Sequence, residues 1–164
     1  MSLFFAAIGA TAAALLEVLP YFGIGEAHPH PVLVFGIIWV VAVGLDRALV
    51  WALVGGIVLD ALANRPFGMS TFALLLAFGG AQVLTRTLIR VRPLVPIIAV
   101  ALLSGAYSLL ELVLYGAIRA PIIVANPVDA VMPGVIYDVV VAVLFGPLIV
   151  AIRDRYREQD RLDW

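Results

Sequence analysis

The sequence has no cysteine, no lysine and few charged residues of any kind. Without cysteine it has no disulfide framework, and thiol chemistry is excluded. Only 13% of the 164 residues are charged, whereas 64% are hydrophobic. A soluble domain is about half apolar and about one quarter charged, so this chain cannot cover an apolar core with polar surface. Its surface must face lipid, and its net charge of -1 favours no nucleic-acid partner.

Apolar runs predict six transmembrane helices, and hence an all-α, polytopic membrane protein. We expect a six-helix transmembrane domain over residues 1–152 and a short basic cytoplasmic tail over residues 153–164. The second and third runs are short, but joining them would place Asp46 and Arg47 in mid-membrane, so a tight hairpin is predicted instead. The six runs are Leu3–Phe22, Val32–Gly44, Ala48–Ala63, Met69–Ile89, Leu94–Ile118 and Val128–Ile152.

The arginines predict how the chain is oriented in the membrane. Two of them, Arg65 and Arg119, fall in the connections on one side of the six spans. The other eight fall on the opposite side, where positive charge marks the cytoplasm. Both termini are therefore predicted to be cytoplasmic. The eight are Arg47, Arg86, Arg90, Arg92, Arg153, Arg155, Arg157 and Arg161.

Four carboxylates interrupt the apolar runs: Glu17, Asp60, Glu111 and Asp138. The predicted topology puts all four in the outer half of the membrane. An acid inside a membrane is costly and must face the bundle interior, a wet cavity or a partner, which makes each one a candidate functional residue. The alternative is that each acid is protonated or hydrogen-bonded to a neighbouring helix and only fixes helix packing.

No catalytic or metal-binding set accompanies these acids in the sequence. Both histidines, His28 and His30, lie in an Ala-His-Pro-His-Pro segment whose prolines favour an extended path. Zinc requires four ligands, and the segment offers too few. We therefore predict a stiff external connection there, no metal and no cofactor.

The segment from Gly56 to Gly68 carries the most specific motif of the sequence. A glycine and Asp60 lie one helical turn apart, and Pro66-Phe67-Gly68 then predicts a tight reversal before the next helix. This combination resembles the signature of the MreD family, the integral membrane subunit of the bacterial rod-shape machinery, or elongasome. The likeness extends to the chain length, the six short spans and the basic tail.

The resemblance implies a non-enzymatic scaffold in the bacterial cytoplasmic (inner) membrane. Such proteins bind MreC, a bitopic protein with an extracytoplasmic coiled coil. Through it they act with the MreB filament, the glycosyltransferase RodA and a class B penicillin-binding transpeptidase in lateral peptidoglycan synthesis. The resemblance further implies the fold of the substrate-binding subunit of energy-coupling-factor transporters, and it allows a homodimer. It assigns a structural or interfacial role to Gly56, Asp60, Pro66, Phe67 and Gly68.

Two other functions stay open at this point. A small-molecule binding subunit of a transporter, taking a vitamin-like ligand, would use the outer carboxylates as part of a polar cavity. An intramembrane enzyme would use Asp60 with Glu111 or Asp138 as an acid pair, although these residues lie on different helices.

Overall fold

A computed structural model describes residues 2–19, 29–88, 94–118 and 126–162. These residues form six α-helices, which confirms the all-α class and the number and order of the helices predicted from the apolar runs. The helices are α1 (Ser2–Val18), α2 (Pro31–Val43), α3 (Leu45–Leu62), α4 (Met69–Thr87), α5 (Val95–Ile118) and α6 (Pro127–Leu162).

The connection between α2 and α3 is tighter than predicted. Gly44, with φ of +102°, is the single residue between the two helices. Asp46, predicted to lie in a loop, instead lies in the first turn of α3. The N-terminal end of a helix dipole favours negative charge, so an acid at this position stabilises the start of α3. The predicted end of the first span at Phe22 lies outside the described residues.

The last helix is much longer than the membrane segment predicted for it. Its backbone is helical through Leu162, ten residues beyond the predicted end at Ile152. At 1.5 Å per residue, its 36 residues extend over about 54 Å. Pro133 and Pro147 lie inside this helix without ending it.

Several helices have the length or composition of membrane segments. Val95–Ile118 and Pro127–Arg153 are long and apolar enough to cross a membrane. Phe4–Val18, Pro31–Val43 and Ala48–Leu62 are shorter apolar helices. Large apolar side chains also remain exposed around the bundle, including Phe4 at 69% and Leu144 at 64%. These features support a membrane protein, and the number of membrane crossings stays a prediction.

The short helix α2 forms the centre of the bundle. It contacts all five other helices, and nine of its 13 residues are buried. A helix that is apolar on every side can be surrounded by lipid or by other helices, and the burial of α2 shows that here the other helices surround it. Trp51 of α3 makes two contacts with α2: its indole Nε1 donates a hydrogen bond to the Val32 carbonyl at 2.9 Å, and its ring stacks on that of Trp39.

Candidate functional site

The turn between α3 and α4 is built around the carboxylate of Asp60. Its two oxygens accept hydrogen bonds from the backbone N–H groups of Gly68, at 2.8 Å, and Ser70, at 3.0 Å. The Asp60 side chain is buried, and the amides that it accepts from stand at the start of α4. A carboxylate at a helix N-terminus satisfies amides that have no partner inside the helix and complements the helix dipole.

The glycines of the motif fit this turn for steric reasons. Gly68 has φ of +90°, a left-handed conformation that strains any residue with a Cβ atom. A Cβ atom on Gly56 would lie 2.5 Å from the Thr71 Cα atom and 2.8 Å from its backbone nitrogen, so α3 and α4 could not keep their present approach. Phe67 projects at the tip of the turn with 80% of its surface exposed. The motif therefore shapes a close helical hairpin, and its interfacial role stays a prediction.

Glu111 of α5 connects this hairpin to the rest of the bundle. Its Oε1 atom accepts hydrogen bonds from Arg65, from the Ser70 hydroxyl at 3.1 Å and from the Tyr107 hydroxyl at 2.7 Å. Burial alone would lower the pKa of Arg65, but the charge of Glu111 outweighs it and holds that pKa above its usual value. The guanidinium of Arg65 therefore stays charged.

Asp138 of α6 makes a second buried pair, with His30. The backbone N–H of His30 donates to Oδ1 at 2.8 Å, and the ring Nδ1 lies 3.0 Å from Oδ2, which also accepts from Ser104. His30 lies in the connection before α2, outside the helices. Burial lowers the pKa of His30, but the hydrogen bond and charge of Asp138, helped by Glu17 and Glu111, raise it to about 9.

His30 lies in the predicted connection, and its contact with Asp138 is an addition that the sequence did not predict. The sequence could not place this ring against an aspartate that follows it by 108 residues. One feature of the sequence pointed to such a contact: His30 is a titratable residue between Pro29 and Pro31, at a predicted depth close to that of several acids. The other histidine, His28, lies outside the described residues.

Glu17, near the end of α1, is the least satisfied of the four acids. Its Oε2 accepts a long hydrogen bond, 3.3 Å, from the backbone N–H of Val32. Its Oε1 is shielded from solvent and has no hydrogen-bond partner among the described residues. This carboxylate thus differs from Asp60, Glu111 and Asp138, each of which accepts two or more bonds.

Together these residues form one polar region, which we call the acid cluster: Glu17, His30, Asp60, Arg65, Ser70, Ser104, Tyr107, Glu111 and Asp138. Ser70 joins its Asp60 and Glu111 parts, and the rings of His30 and Tyr107, in edge contact at 5.5 Å, join the Glu111 and Asp138 parts. The sequence predicted a common depth for the four acids, and the structure brings them together with partners that the sequence did not identify.

Two cavities flank the acid cluster. One, of about 370 Å³, lies between α4, α5 and α6 and is lined by Ser108, Glu111 and Tyr115 among others. The second, of about 420 Å³, is lined by Glu17, Leu59 and Ala63 among others. His30 and Arg65 line both cavities.

The chemistry of the cluster favours structure over catalysis. Within the described residues, no group of three or more histidine, cysteine or acidic side chains is arranged to hold a metal ion. The two oxygens of Asp60 are engaged by backbone amides, whereas Glu111 is engaged by Arg65, Ser70 and Tyr107. The hydrogen bonds and ion pairs of the cluster together involve side chains from five helices and two connections.

Comparison with known proteins identifies a family over nearly the whole chain. Residues 1–153 match the family described as rod shape-determining protein MreD. No curated protein and no solved structure matches the chain.

Proposed function

The chain therefore belongs to the MreD family, and from that premise we propose that it is a non-enzymatic scaffold subunit of the bacterial rod-shape complex. Family membership implies a role in rod shape determination, and the match over residues 1–153 is the observation that carries the proposal. In this proposal the protein binds an MreC-like bitopic protein. Through that partner it supports lateral peptidoglycan synthesis by RodA and its transpeptidase along MreB filaments.

The proposed topology has six membrane crossings with both termini in the cytoplasm. The chain runs from the acid cluster along α4 to Arg86, in the last turn of that helix, and along α6 from Asp138 to Arg153, 15 residues further on. Positive charge at one end and acids at the other support a cytoplasmic face at the arginine end. The acid cluster then opens to the extracytoplasmic side.

The internal pairing of the acids supports a scaffold role. Asp60, Glu111 and Asp138 are each held by hydrogen bonds within the protein, so these bonds stabilise one arrangement of helices. Connections between helices are short, and α2 and α3 are separated by one residue. We propose that recognition uses lipid-facing helix surfaces and the Pro66-Phe67-Gly68 turn, whose exposed phenyl ring offers an apolar contact to a partner.

The experiment depletes the protein in its own bacterium and supplies a tagged copy in its place. Cells depleted of it are expected to lose rod shape, and expression of the tagged chain should restore it and recover a bitopic cell-shape protein from the membranes. Phe67→Ala should lower that recovery several-fold at an unchanged level of the tagged protein. Phe72→Ala is measured beside it, because Phe72 is also exposed, at 50%, but lies in helix α4; a loss of recovery with this variant as well would extend the interface from the turn to that helix surface.

Two results would contradict the scaffold role. One is that depleted cells stay rod-shaped and no bitopic cell-shape protein copurifies with the chain. The other is that Phe67→Ala recovers the partner as well as the original chain does, which would remove the α3–α4 turn from the proposed interface while leaving the family role intact.

A second candidate function is a small-molecule binding subunit of a transporter. The two cavities beside the acid cluster favour it, because a ligand site requires a concave space with a few polar groups. The resemblance to energy-coupling-factor substrate subunits stays a prediction. Purified protein that carries no vitamin-like molecule, and whose thermal unfolding shifts with no member of a vitamin panel, would eliminate this candidate.

A further inference from the structure

The five outer helices of the bundle do not close a ring around α2. Going round it, α1 packs on α3, α3 on α4, α4 on α5 and α5 on α6, and α2 contacts all five. Within the described residues, α1 and α6 do not pack along each other. Helix axes pack about 8 to 10 Å apart, so about six helices of equal width fit around a central one. One position beside α2 is therefore open, and it has the width of a single helix.

The exposure of α2 shows which of its sides is uncovered. Nine of its residues are buried, and the other four are half-buried at a regular spacing of four. These four are Pro31, Phe35, Trp39 and Val43. Residues four apart lie one above the other on a helix, so one uncovered stripe runs along the whole of α2. From Pro31 to Val43 the stripe is about 18 Å long.

A third cavity lies on this stripe and identifies the helices beside it. It has a volume of about 180 Å³, and Phe35 of α2, Leu16 of α1 and Val141 and Phe145 of α6 are among its lining residues. The rings of Phe35 and Phe145 meet edge to face at 5.6 Å. The open position therefore lies between α1 and α6. We call it the α1–α6 groove, with the stripe of α2 as its floor.

The walls of the groove continue from this cavity along both flanking helices. On α1, Ala12 lies one turn before Leu16 and Phe5 lies three turns before it, on the same exposed face. On α6, exposed Leu148 lies two turns beyond Val141. The small side chain of Ala12 lets a neighbouring helix approach α1 closely. The groove therefore extends over the middle of these helices, within the described part of the chain.

The lining of the groove favours an apolar occupant. The residues named for its floor and walls are all uncharged. The one charged residue that lines the cavity at its outer end is Asp138, which is buried and bonded to His30 and Ser104. A charged side chain entering the groove would gain no partner there, and burying a charge without a partner is costly.

The groove also offers more contact than any other lateral face of the bundle. A helix lying in it contacts α1, α2 and α6 at once, whereas a helix on the outside of two adjacent outer helices contacts only those two. Helices associate in membranes through close packing and through the release of lipid that had been ordered against them. A transmembrane helix should therefore bind here in preference to the other faces.

A single-span helix suits this position better than a helix of a second copy. The second copy could insert only α1 or α6, since α3, α4 and α5 are each flanked on both sides by other helices. Both α1 and α6 are covered on one flank by their own bundle. The membrane helix of a bitopic protein is free on every side, so it can rotate to fit all three helices of the groove.

We propose that the α1–α6 groove binds the single transmembrane helix of a bitopic partner protein, which becomes the sixth neighbour of α2. The inference rests on the scaffold role, because that role supplies the bitopic partner, and it adds where on this chain the partner's membrane helix binds. The partner helix is uncharged where it contacts Ala12, Phe35 and Val141.

The first experiment uses photo-crosslinking of the full-length tagged chain in its own bacterium. The photoreactive residue p-benzoyl-phenylalanine replaces Phe145, an exposed phenylalanine of the groove with a similar ring. In a second strain it replaces Leu102, which is exposed on α5, a helix that does not border the groove. We expect light to join Phe145, and not Leu102, to the bitopic partner, with the joined peptide mapped by mass spectrometry to the partner's transmembrane segment.

The second experiment fills the groove. Ala12→Trp adds a large side chain to its α1 wall and should lower recovery of the bitopic partner at least fivefold at an unchanged level of the tagged chain. Ala106→Trp is the matched control, because Ala106 is also an exposed alanine inside a helix but lies on α5. It should recover the partner as the original chain does.

Three results would overturn the groove while leaving the scaffold role intact, provided that the original chain still recovers the partner and restores rod shape. Light could join Phe145 to a second copy of the chain, which would make the groove a dimer interface. It could join Phe145 to no protein, which would leave the groove filled by lipid. Ala12→Trp could also recover the partner as well as Ala106→Trp does. If the original chain itself recovers no bitopic protein, the scaffold role fails and the inference fails with it.

Discussion

Replacing Gly56 by alanine tests whether the α3–α4 hairpin depends on backbone contact. The new methyl group would lie 2.5 Å from both the Cα and Oγ1 atoms of Thr71. Ordinary van der Waals contact begins near 3.4 Å, so α4 must move by about 1 Å at this point. The neighbouring Ser70 donates its backbone N–H to Asp60, so this movement also stretches a buried hydrogen bond.

The expected loss of stability combines three effects. Forcing extra volume into a close-packed contact costs about 1 to 3 kcal/mol. Weakening one buried hydrogen bond at Asp60 adds about 1 kcal/mol. The higher helix propensity of alanine returns about 0.5 to 1 kcal/mol. We therefore expect Gly56→Ala to lower the free energy of unfolding by about 2 kcal/mol.

The chain provides a matched control in Gly79. It also lies inside a helix, α4, but a Cβ atom added to it would meet nothing within 4 Å. Gly79→Ala should therefore raise the free energy of unfolding by about 0.5 to 1 kcal/mol through helix propensity alone. Titration of the purified proteins with sodium dodecyl sulfate, followed by loss of helical circular dichroism, measures both changes.

The outcome depends on the difference in the free energy of unfolding between Gly56→Ala and Gly79→Ala. If Gly56→Ala is as stable as Gly79→Ala, α3 and α4 do not approach each other as closely as described. The steric basis of the glycine in the motif would then be refuted, together with the geometry that places Asp60 over the start of α4.

Three further predictions concern the polar contacts. Asp60→Asn should cost about 1 to 3 kcal/mol of stability in the same titration, because an amide replaces one acceptor by a donor, whereas Asp46→Asn, at an exposed position in the first turn of α3, should cost about 0.3 to 1 kcal/mol through the helix dipole. Folding raises the pKa of His30 from 6.5 to about 9, so its contact with Asp138 should stabilise the protein most below pH 6.5. The free energy of unfolding should fall by about 3 kcal/mol as the pH rises through 9, and His30→Ala should flatten this dependence. Trp51→Phe should cost about 1 kcal/mol by removing the bond from its indole to α2, and equal stability would show that this bond adds nothing.

The helices could be predicted because each one is a local apolar run. Their number and order needed only the spacing of charged and turn residues, and the motif from Gly56 to Gly68 predicted its own hairpin. The sequence predicted the start of α3 at Ala48, because Asp46 and Arg47 indicated a loop. The helix begins at Leu45, since the single residue Gly44 suffices to separate it from α2. The uniform apolarity of α2 was visible, but its central position was not, because that depends on what surrounds it.

The sequence predicted that the four acids of the cluster lie at a common depth in the membrane. It did not predict which side chains bond to them. Counting residues along helices of alternating direction brings Glu17 and Asp138 to one end of the bundle, since each residue adds a fixed rise. Which side chain pairs with which depends on the rotation of each helix about its axis, and the apolar faces here differ too little to fix that rotation. Arg65 and His30, assigned to connections, therefore emerge as partners of Glu111 and Asp138 only in the folded chain.

Because α6 is long, a small tilt of the helix at Asp138 produces a large displacement of its C-terminal end. From Asp138 to Leu162 the helix continues for 24 residues, a distance of about 36 Å. A tilt of about 10° around the Asp138 contact would displace the far end by about 6 Å, if the helix moved as a rigid rod. A side-chain bond to His30 at one end of the molecule thus restrains the position of a helix end far from it. A rigid-body tilt of α6 would therefore displace its C-terminal end and disturb this contact at the same time.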